Sequence, residues 1–415
     1  MNDASAQPAP LAMPAPAPAG STVSTAPAAA PATPASSTAP ADSAPATPTA
    51  SEAPEVSALF TPVSLGALEL RNRLVMAPLT RLRAGKDDGV PGDLAVEHYR
   101  QRASLGLIVT EGTWPVREGR TWYGQPGIET AEQQAGWARV ADAVHAEGGL
   151  IAMQIMHGGR VSHPELTGTG RIVSADASAG SNPIRIAEGK VDPPVAEALT
   201  TDEVRKVIDG FVAAARRAVD AGMDAVELHG ANGYLIHQFL APASNHREDE
   251  YGGSPENRAR LAVEVVTAVA AEIGAERTGI RLSPEHNIQG ALETDPAETM
   301  RTYRALAEGI APLRIAFVDV LHADPTSELV QMIREVSGAP LIANTGFGII
   351  TTRQEAARLV ADGLADAVGV GRAAIANPDL ARRWREGLGE NEPDPATFYS
   401  DGAEGYTDYP ALDAG

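Results

Sequence analysis

The 415-residue sequence contains no cysteine, which excludes disulfide scaffolds, thiolate zinc sites, iron–sulfur clusters and thiol nucleophiles. Positive charge is scarce. Against 54 Asp plus Glu stand 33 Lys plus Arg, a formal net charge of -21, and no basic stripe offers the phosphate-tracking surface that a nucleic-acid partner needs. No uninterrupted apolar run approaches the roughly 20 residues of a membrane helix, so no membrane partner is expected. A dinucleotide-type glycine turn is also missing: the first apolar β-type run, RLVMAP at Arg73 to Pro78, is followed by LTRLRAGKDDG rather than GxGxxG.

Residues 1–57 lack Lys and Arg altogether, hold 12 of the 32 prolines, and are otherwise mostly Ala, Ser and Thr. With no apolar periodicity, such a segment cannot bury enough surface to offset the entropy of ordering it, and a disordered tail is expected. It has neither the positive start and apolar core of a secretory signal nor the arginines of a transit peptide, so a cytoplasmic location is expected. A wrongly extended start has the same composition. Residues 58–415 then form one domain.

From Arg73 onward, eight apolar β-type runs alternate with helical segments. The runs lie at 73–78, 105–112, 150–157, 225–230, 278–284, 317–322, 340–346 and 365–372. Each is continuous rather than alternating, the signature of a parallel strand buried on both faces. Helices are expected at 131–147, 201–221, 255–273, 299–309 and 354–362, the second capped by Thr201 or Asp202. Eight such alternations predict a single closed (β/α)8 TIM barrel, an α/β fold.

In that fold the chemistry collects at the carboxyl ends of the strands. The polar residues there are Thr80, Glu111, Gln154, His157, His229, Asn232, Tyr234, Arg281, His322, Asn344 and Arg372. Gln154 and Arg281 interrupt apolar runs and need partners, of which a polar ligand would be one. The glycine turns NTGFG and GVGR, with Arg372, sit where many barrels hold a phosphate. His157, His322 and Glu111 lack the spacing of a metal site, and no metal is expected.

The segments RLVMAPLTRLRA, TEGTWP, QIMHGGRVSHP, ELHGANGYLIHQFLAPASNHREDEYGGS, IRLSPE, NTGFG, GVGRAAIANPDLARRWREGL and TFYSDGAEGYTDYP together resemble the Old Yellow Enzyme family of FMN-dependent ene-reductases. The resemblance spans about Ala58 to Pro410. It implies tightly but non-covalently bound FMN, NADPH or NADH as reductant, and hydride delivery to an activated alkene, an α,β-unsaturated carbonyl or a nitro compound. By the same resemblance, Thr80 donates to the flavin O4 edge, Gln154 pairs with the pyrimidine, and Arg281 lies beside N1 and O2. Pro78, Leu79 and Gly112 give backbone contacts, and Gly346, Phe347, Gly371 and Arg372 hold the phosphate. His229 and Asn232 clamp the substrate oxygen, Tyr234 protonates the α-carbon, and Trp122 lines the substrate pocket.

Taken singly, His229 reads as a core histidine, Asn232 as a turn former and Tyr234 as a packed aromatic. The HxxNxY pattern after a barrel strand favours the functional reading. Thr80 stands where one subclass carries cysteine, and Ile155 and Met156 replace the Leu and Trp of many relatives, so stereochemistry does not carry over. Two other readings remain: another FMN-barrel dehydrogenase, whose lysine-bearing flavin motif is lacking, and a flavin-binding scaffold with the tail as interaction module. Either a monomer or a homodimer is compatible with the sequence.

Overall fold

A computed structural model describes residues 52–346 and 349–412. All eight expected runs form strands: β1 (Leu74–Met76), β2 (Leu107–Val109), β3 (Ile151–Ile155), β4 (Ala225–Gly230), β5 (Thr278–Leu282), β6 (Phe317–Leu321), β7 (Leu341–Asn344) and β8 (Ala367–Val370). They pair in parallel, in chain order, and β8 closes on β1. Except for β4, the strands are shorter than the apolar runs, because the ends of the runs leave the ladder and enter the loops.

The continuous apolar character has a direct cause, because each strand is buried on two sides. Leu74, Ile108, Met153, Val226, Leu228, Ile280, Val318 and Val368 face outward into the helical layer. Their alternates Val75, Leu107, Val109, Ala152, Ala225, Phe317, Ile342 and Ala367 fill the barrel interior. The lower end is stoppered by an antiparallel hairpin, Val63–Leu65 with Leu68–Leu70, which adds Leu65, Leu68 and Leu70 to that interior cluster. Gly279 is required there: a Cβ would lie 2.4 Å from the Phe317 ring.

Helices occur at Ala131–Ala146, Thr201–Asp220, Pro255–Ile273, Pro296–Ile310 and Arg353–Ala361, close to the expected spans. The second is capped by Thr200, not by Thr201 or Asp202. The Thr200 side chain accepts from the Glu203 N–H while Glu203 reaches back to the Thr200 N–H, the reciprocal box that a Thr-x-x-Glu spacing permits. Asp93–Gln101 and Glu328–Ser337 complete the alternation between β1 and β2 and between β6 and β7.

The expected tail boundary at 57 falls inside folded structure. Glu52–Ala58 is a helix. Its Val56, together with Leu59, joins the outer core, and the Glu55 carboxylate lies 4.0 Å from Arg358 on the helix it packs against. Two large apolar side chains in a short stretch suffice to dock one small helix on an existing layer. Residues 1–51, the rest of the expected tail, lie outside the described residues.

Candidate active site

Four adjacent strands each place one polar residue in the barrel interior above the apolar plug. Gln154 on β3 is in register with Glu227 on β4, and Arg281 on β5 with Asp319 on β6. Gln154 Nε2 donates to Glu227 Oε1 at 2.8 Å, and Arg281 forms an ion pair with Asp319. The partners that Gln154 and Arg281 need are thus in part buried carboxylates of the protein itself. Sequence reasoning passed over both, although each is the only acidic residue in its apolar run, the same kind of interruption that marks Arg281.

Two residues beyond Glu227 on β4, toward the mouth, is His229, in register with Arg281. β4 ends at Gly230, and the chain turns through Asn232, whose φ of 56° is left-handed, and Gly233, at 76°. That conformation costs an asparagine on the order of 1 kcal/mol and needs support from its surroundings. The Asn232 N–H donates to Ser283 Oγ at 2.8 Å, and its carbonyl accepts from Gln289 Nε2 at 3.2 Å. The Gly233 N–H donates to His237 Nδ1 at 2.9 Å, which leaves the proton of His237 on Nε2, facing Glu293 at 3.2 Å. Glu293 also accepts from the Tyr303 hydroxyl at 3.0 Å and the Glu285 N–H at 2.7 Å. Gln238 Nε2 donates to the Gly233 carbonyl at 2.7 Å and accepts, through Oε1, from the Arg160 N–H and Ser174 Oγ.

This buried lattice sets His229 and Tyr234 side by side, with Asn232 on the turn between them. The His229 and Tyr234 rings lie 5.3 Å apart, and Trp122 meets Tyr234 edge-on at 6.0 Å. His229, Asn232 and Tyr234 are 4%, 7% and 7% exposed. Burial, reinforced by Arg281 and His237, drives the His229 pKa well below its usual value, so the imidazole is neutral. Burial raises that of Tyr234, keeping the phenol protonated, with Gln289 in hydrogen-bond reach. His229 Nδ1 and Asn232 Oδ1 are buried without a hydrogen-bond partner among the described residues.

The β1 loop forms another wall. Pro78, Leu79 and Thr80 are half-buried, and the buried Glu111 pins the chain just beyond them by accepting from the Arg81 and Leu82 N–H groups at 2.9 and 3.0 Å. Gly112 packs against Met156, whose sulfur would lie 2.8 Å from a Cβ there. At the β7 end, the Gly346 N–H donates to Asn344 Oδ1 at 3.1 Å, and Asn344 Nδ2 donates to the Gly369 carbonyl at 2.8 Å. Gly371 precedes the short helix Arg372–Ala376, and Arg372 is exposed. Phe347 lies outside the described residues. Across this rim the C-terminal segment is tied down by Arg81 to the Phe398 and Gly405 carbonyls and by Arg83 to those of Thr397 and Glu404. That segment brings Tyr399 toward Tyr234.

His157, His322 and Glu111 have separate engagements. His157 Nδ1 accepts from the Gly159 N–H at 3.1 Å, and His322 sits against Asp324 and Glu285. No group of three potential metal ligands forms among the described residues.

A cation and an amide recessed in a barrel, glycine turns at the last two strands, and unpaired buried polar atoms above them fit a planar, anion-forming cofactor carrying a phosphate. Fold and site together define a flavin-dependent (β/α)8-barrel oxidoreductase. The family description "NADH:flavin oxidoreductase / NADH oxidase family" matches residues 58–391. A "probable flavin mononucleotide-dependent alkene reductase" of Leishmania infantum is 42% identical over 84% of this chain and 96% of its own length. The 12-oxophytodienoate reductase 1 of Oryza sativa subsp. japonica is 39% identical over 84% of this chain and 92% of its own. Among solved structures, an old yellow enzyme homologue from Zymomonas mobilis superposes with a TM-score of 0.80 at 40% identity, covering 85% of this chain and 99% of that one. Morphinone reductase gives 0.79 at 42%, covering 86% and 96%. The chain belongs to the NADH:flavin oxidoreductase family, that of the old yellow enzymes, and is an FMN-dependent enzyme drawing on a nicotinamide reductant.

Proposed function

We propose that this enzyme reduces the C=C bond of α,β-unsaturated carbonyl compounds, with His229 and Asn232 holding the carbonyl oxygen and Tyr234 delivering the proton to the α-carbon. The observation that supports the reading is a neutral buried imidazole beside a protonated buried phenol, with Asn232 on the turn between them. FMN, when bound, supplies the two-electron chemistry that passes hydride from NADPH or NADH to the β-carbon.

The protein's own part is electrostatic and geometric. Each donor to an oxygen that gains negative charge is worth about 10²- to 10³-fold in rate, so the His229–Asn232 pair makes the alkene a better acceptor. Both are recessed from water, which strengthens the effect. Tyr234 remains protonated because burial disfavours its phenolate, and a phenol is acidic enough to protonate an enolate carbon. Gln154 and Arg281 would hold the pyrimidine edge, Thr80 the opposite carbonyl, and Pro78, Leu79 and Gly112 the ring face. Gly346, Phe347, Gly371 and Arg372 would hold the phosphate. Thr80 makes this a threonine-bearing member of the family. Trp122 and Met156 shape the substrate wall, and a nitro group would meet the same donors as a carbonyl.

No helix among the described residues is long and apolar enough to cross a membrane. We infer a cytoplasmic enzyme, monomeric or homodimeric. The test is the visible spectrum of the purified protein under exclusion of oxygen. Flavin bands that bleach with NADPH and return with 2-cyclohexenone support the assignment. A colourless protein that FMN does not reconstitute overturns it.

A further inference from the structure

Gln154, Glu227, Arg281 and Asp319 contain more acid than base. Arg281 contributes one positive charge, and two carboxyl groups could contribute two negative ones. Glu227 and Asp319 are both 0% exposed, and Gln154 and Arg281 are 3% exposed, so an uncompensated charge here has no access to water. Each carboxyl group has one oxygen accounted for: Glu227 Oε1 accepts from Gln154, and Asp319 Oδ2 from Arg281. The other two, Glu227 Oε2 and Asp319 Oδ1, are buried and receive no hydrogen bond from a donor group among the described residues. The two carboxyl groups also bear on each other electrostatically. With one cation for two fully buried carboxyl groups, and that cation on Asp319, one of the two must carry a proton.

We propose that Glu227 and Asp319 share a single proton in the native enzyme, residing mainly on Glu227, so that the polar layer beneath the cofactor site is electrically neutral. Arg281 decides where the proton sits, because its guanidinium favours the ionised form of the carboxyl group it touches, which is Asp319. The groups bearing on Glu227 are Asp319, which favours its neutral form, Arg281, which opposes that, and the neutral donor Gln154. Those bearing on Asp319 are Arg281 and Glu227. Burial and the Asp319 charge hold the Glu227 carboxyl well above the usual carboxylate range.

Glu227 is thereby a positioning residue. It fixes the amide of Gln154 with Nε2 toward the barrel interior, leaving Oε1 and the second N–H for a ligand. As a neutral acid it also adds no negative charge beneath a ring that must accept electrons. A doubly ionised pair would leave the layer one unit negative and work against reduction. The effect on the cofactor rests on the flavin assignment above, whereas the shared proton does not.

The experiment uses the whole protein at neutral pH, with Glu227→Gln and Asp319→Asn as variants. Infrared spectra of wild type in H2O and D2O should contain a deuterium-sensitive C=O band of a buried carboxylic acid. Glu227→Gln should remove it. Asp319→Asn should remove it too, because Glu227 then ionises as the sole partner of Arg281. The midpoint potential of the bound flavin should be unchanged in Glu227→Gln, since an amide replaces a neutral acid. Absence of the band from wild type, its survival in both variants, or a raised potential in Glu227→Gln each overturns the proposal. If Glu227→Gln does not fold, the wild-type band and its loss in Asp319→Asn decide. A colourless protein that retains the band would uphold the shared proton and overturn the flavin assignment, and a flavoprotein without it would do the reverse.

Discussion

Replacing Tyr234 by Phe removes one oxygen from a site whose other contacts are ring contacts. The phenyl ring keeps its edge-on approach to Trp122 at 6.0 Å and its contact with His229 at 5.3 Å. Gln289 loses its neighbour at the hydroxyl but keeps its hydrogen bond to the Asn232 carbonyl at 3.2 Å. The cost to folding should therefore be no more than the loss of one hydrogen bond, about 0.5–1.5 kcal/mol. The cost to chemistry should be larger and confined to one half of the cycle. Loss of a positioned general acid typically lowers a rate about 10²- to 10⁴-fold. Stopped-flow absorbance without oxygen separates the halves: flavin bleaching by NADPH should stay within about twofold of wild type, while recolouring by 2-cyclohexenone should slow by about 10²-fold or more. Because burial raises the phenol above its ordinary pKa of about 10, the recolouring rate in wild type should be flat up to about pH 9. Equal slowing of both halves, or of neither, would refute the proton-donor role.

Gly279→Ala would put a methyl group 2.4 Å from the Phe317 ring in a filled interior, and the overpacking should lower stability by about 1–3 kcal/mol, read as a reduced urea midpoint. Acid should also destabilise the fold from well above the carboxylate range. Burial depresses the His157 pKa to about 3, and those of His98 and His229 are likewise well below normal. The unfolded chain binds protons on these imidazoles, near its pKa of about 6.5, that the native state excludes, so stability should fall as pH drops from about 6.5 toward 3 and be level just above; a urea midpoint unchanged between pH 7 and 5 would contradict this. Deleting residues 1–51 should leave turnover and thermal midpoint unchanged, whereas deleting through Leu59 should lower the midpoint, since Val56 and Leu59 are 6% and 0% exposed. Equal midpoints for the two truncations would remove the short helix from the core.

The barrel was legible because its strands are buried on both faces, and that constraint writes itself into contiguous sequence at β1 through β8. The nearness of His229, Asn232 and Tyr234 was legible for a related reason: one strand end and the turn after it carry all three, so their spacing survives in the linear order. Glu227 and Asp319 were not recognised as a pair because their relation runs across strands, through a register that only the closed sheet defines. Gln289 left no local mark. It reaches Tyr234 from a loop after β5 in which Glu285, Asn287 and Gln289 all adopt positive φ, a conformation imposed by Glu293 and its partners rather than by glycine. The Thr200 cap and the helix at Glu52–Ala58 were displaced for simpler reasons: a reciprocal capping spacing was overlooked in the first, and one buried valine was outweighed by surrounding alanine and proline in the second.

The hairpin at Val63–Leu70 closes the lower end of the barrel with three leucines, and this has a kinetic consequence. Side chains fill the interior above the hairpin, so the site is reached only from the mouth, and the nicotinamide and the alkene come and go through the same opening. Occupancy by one then excludes the other. Steady-state rates should give parallel double-reciprocal lines, and a high concentration of either reactant should inhibit by obstructing the other. The catalytic order is in that sense set by a core that is packed through to its lower end.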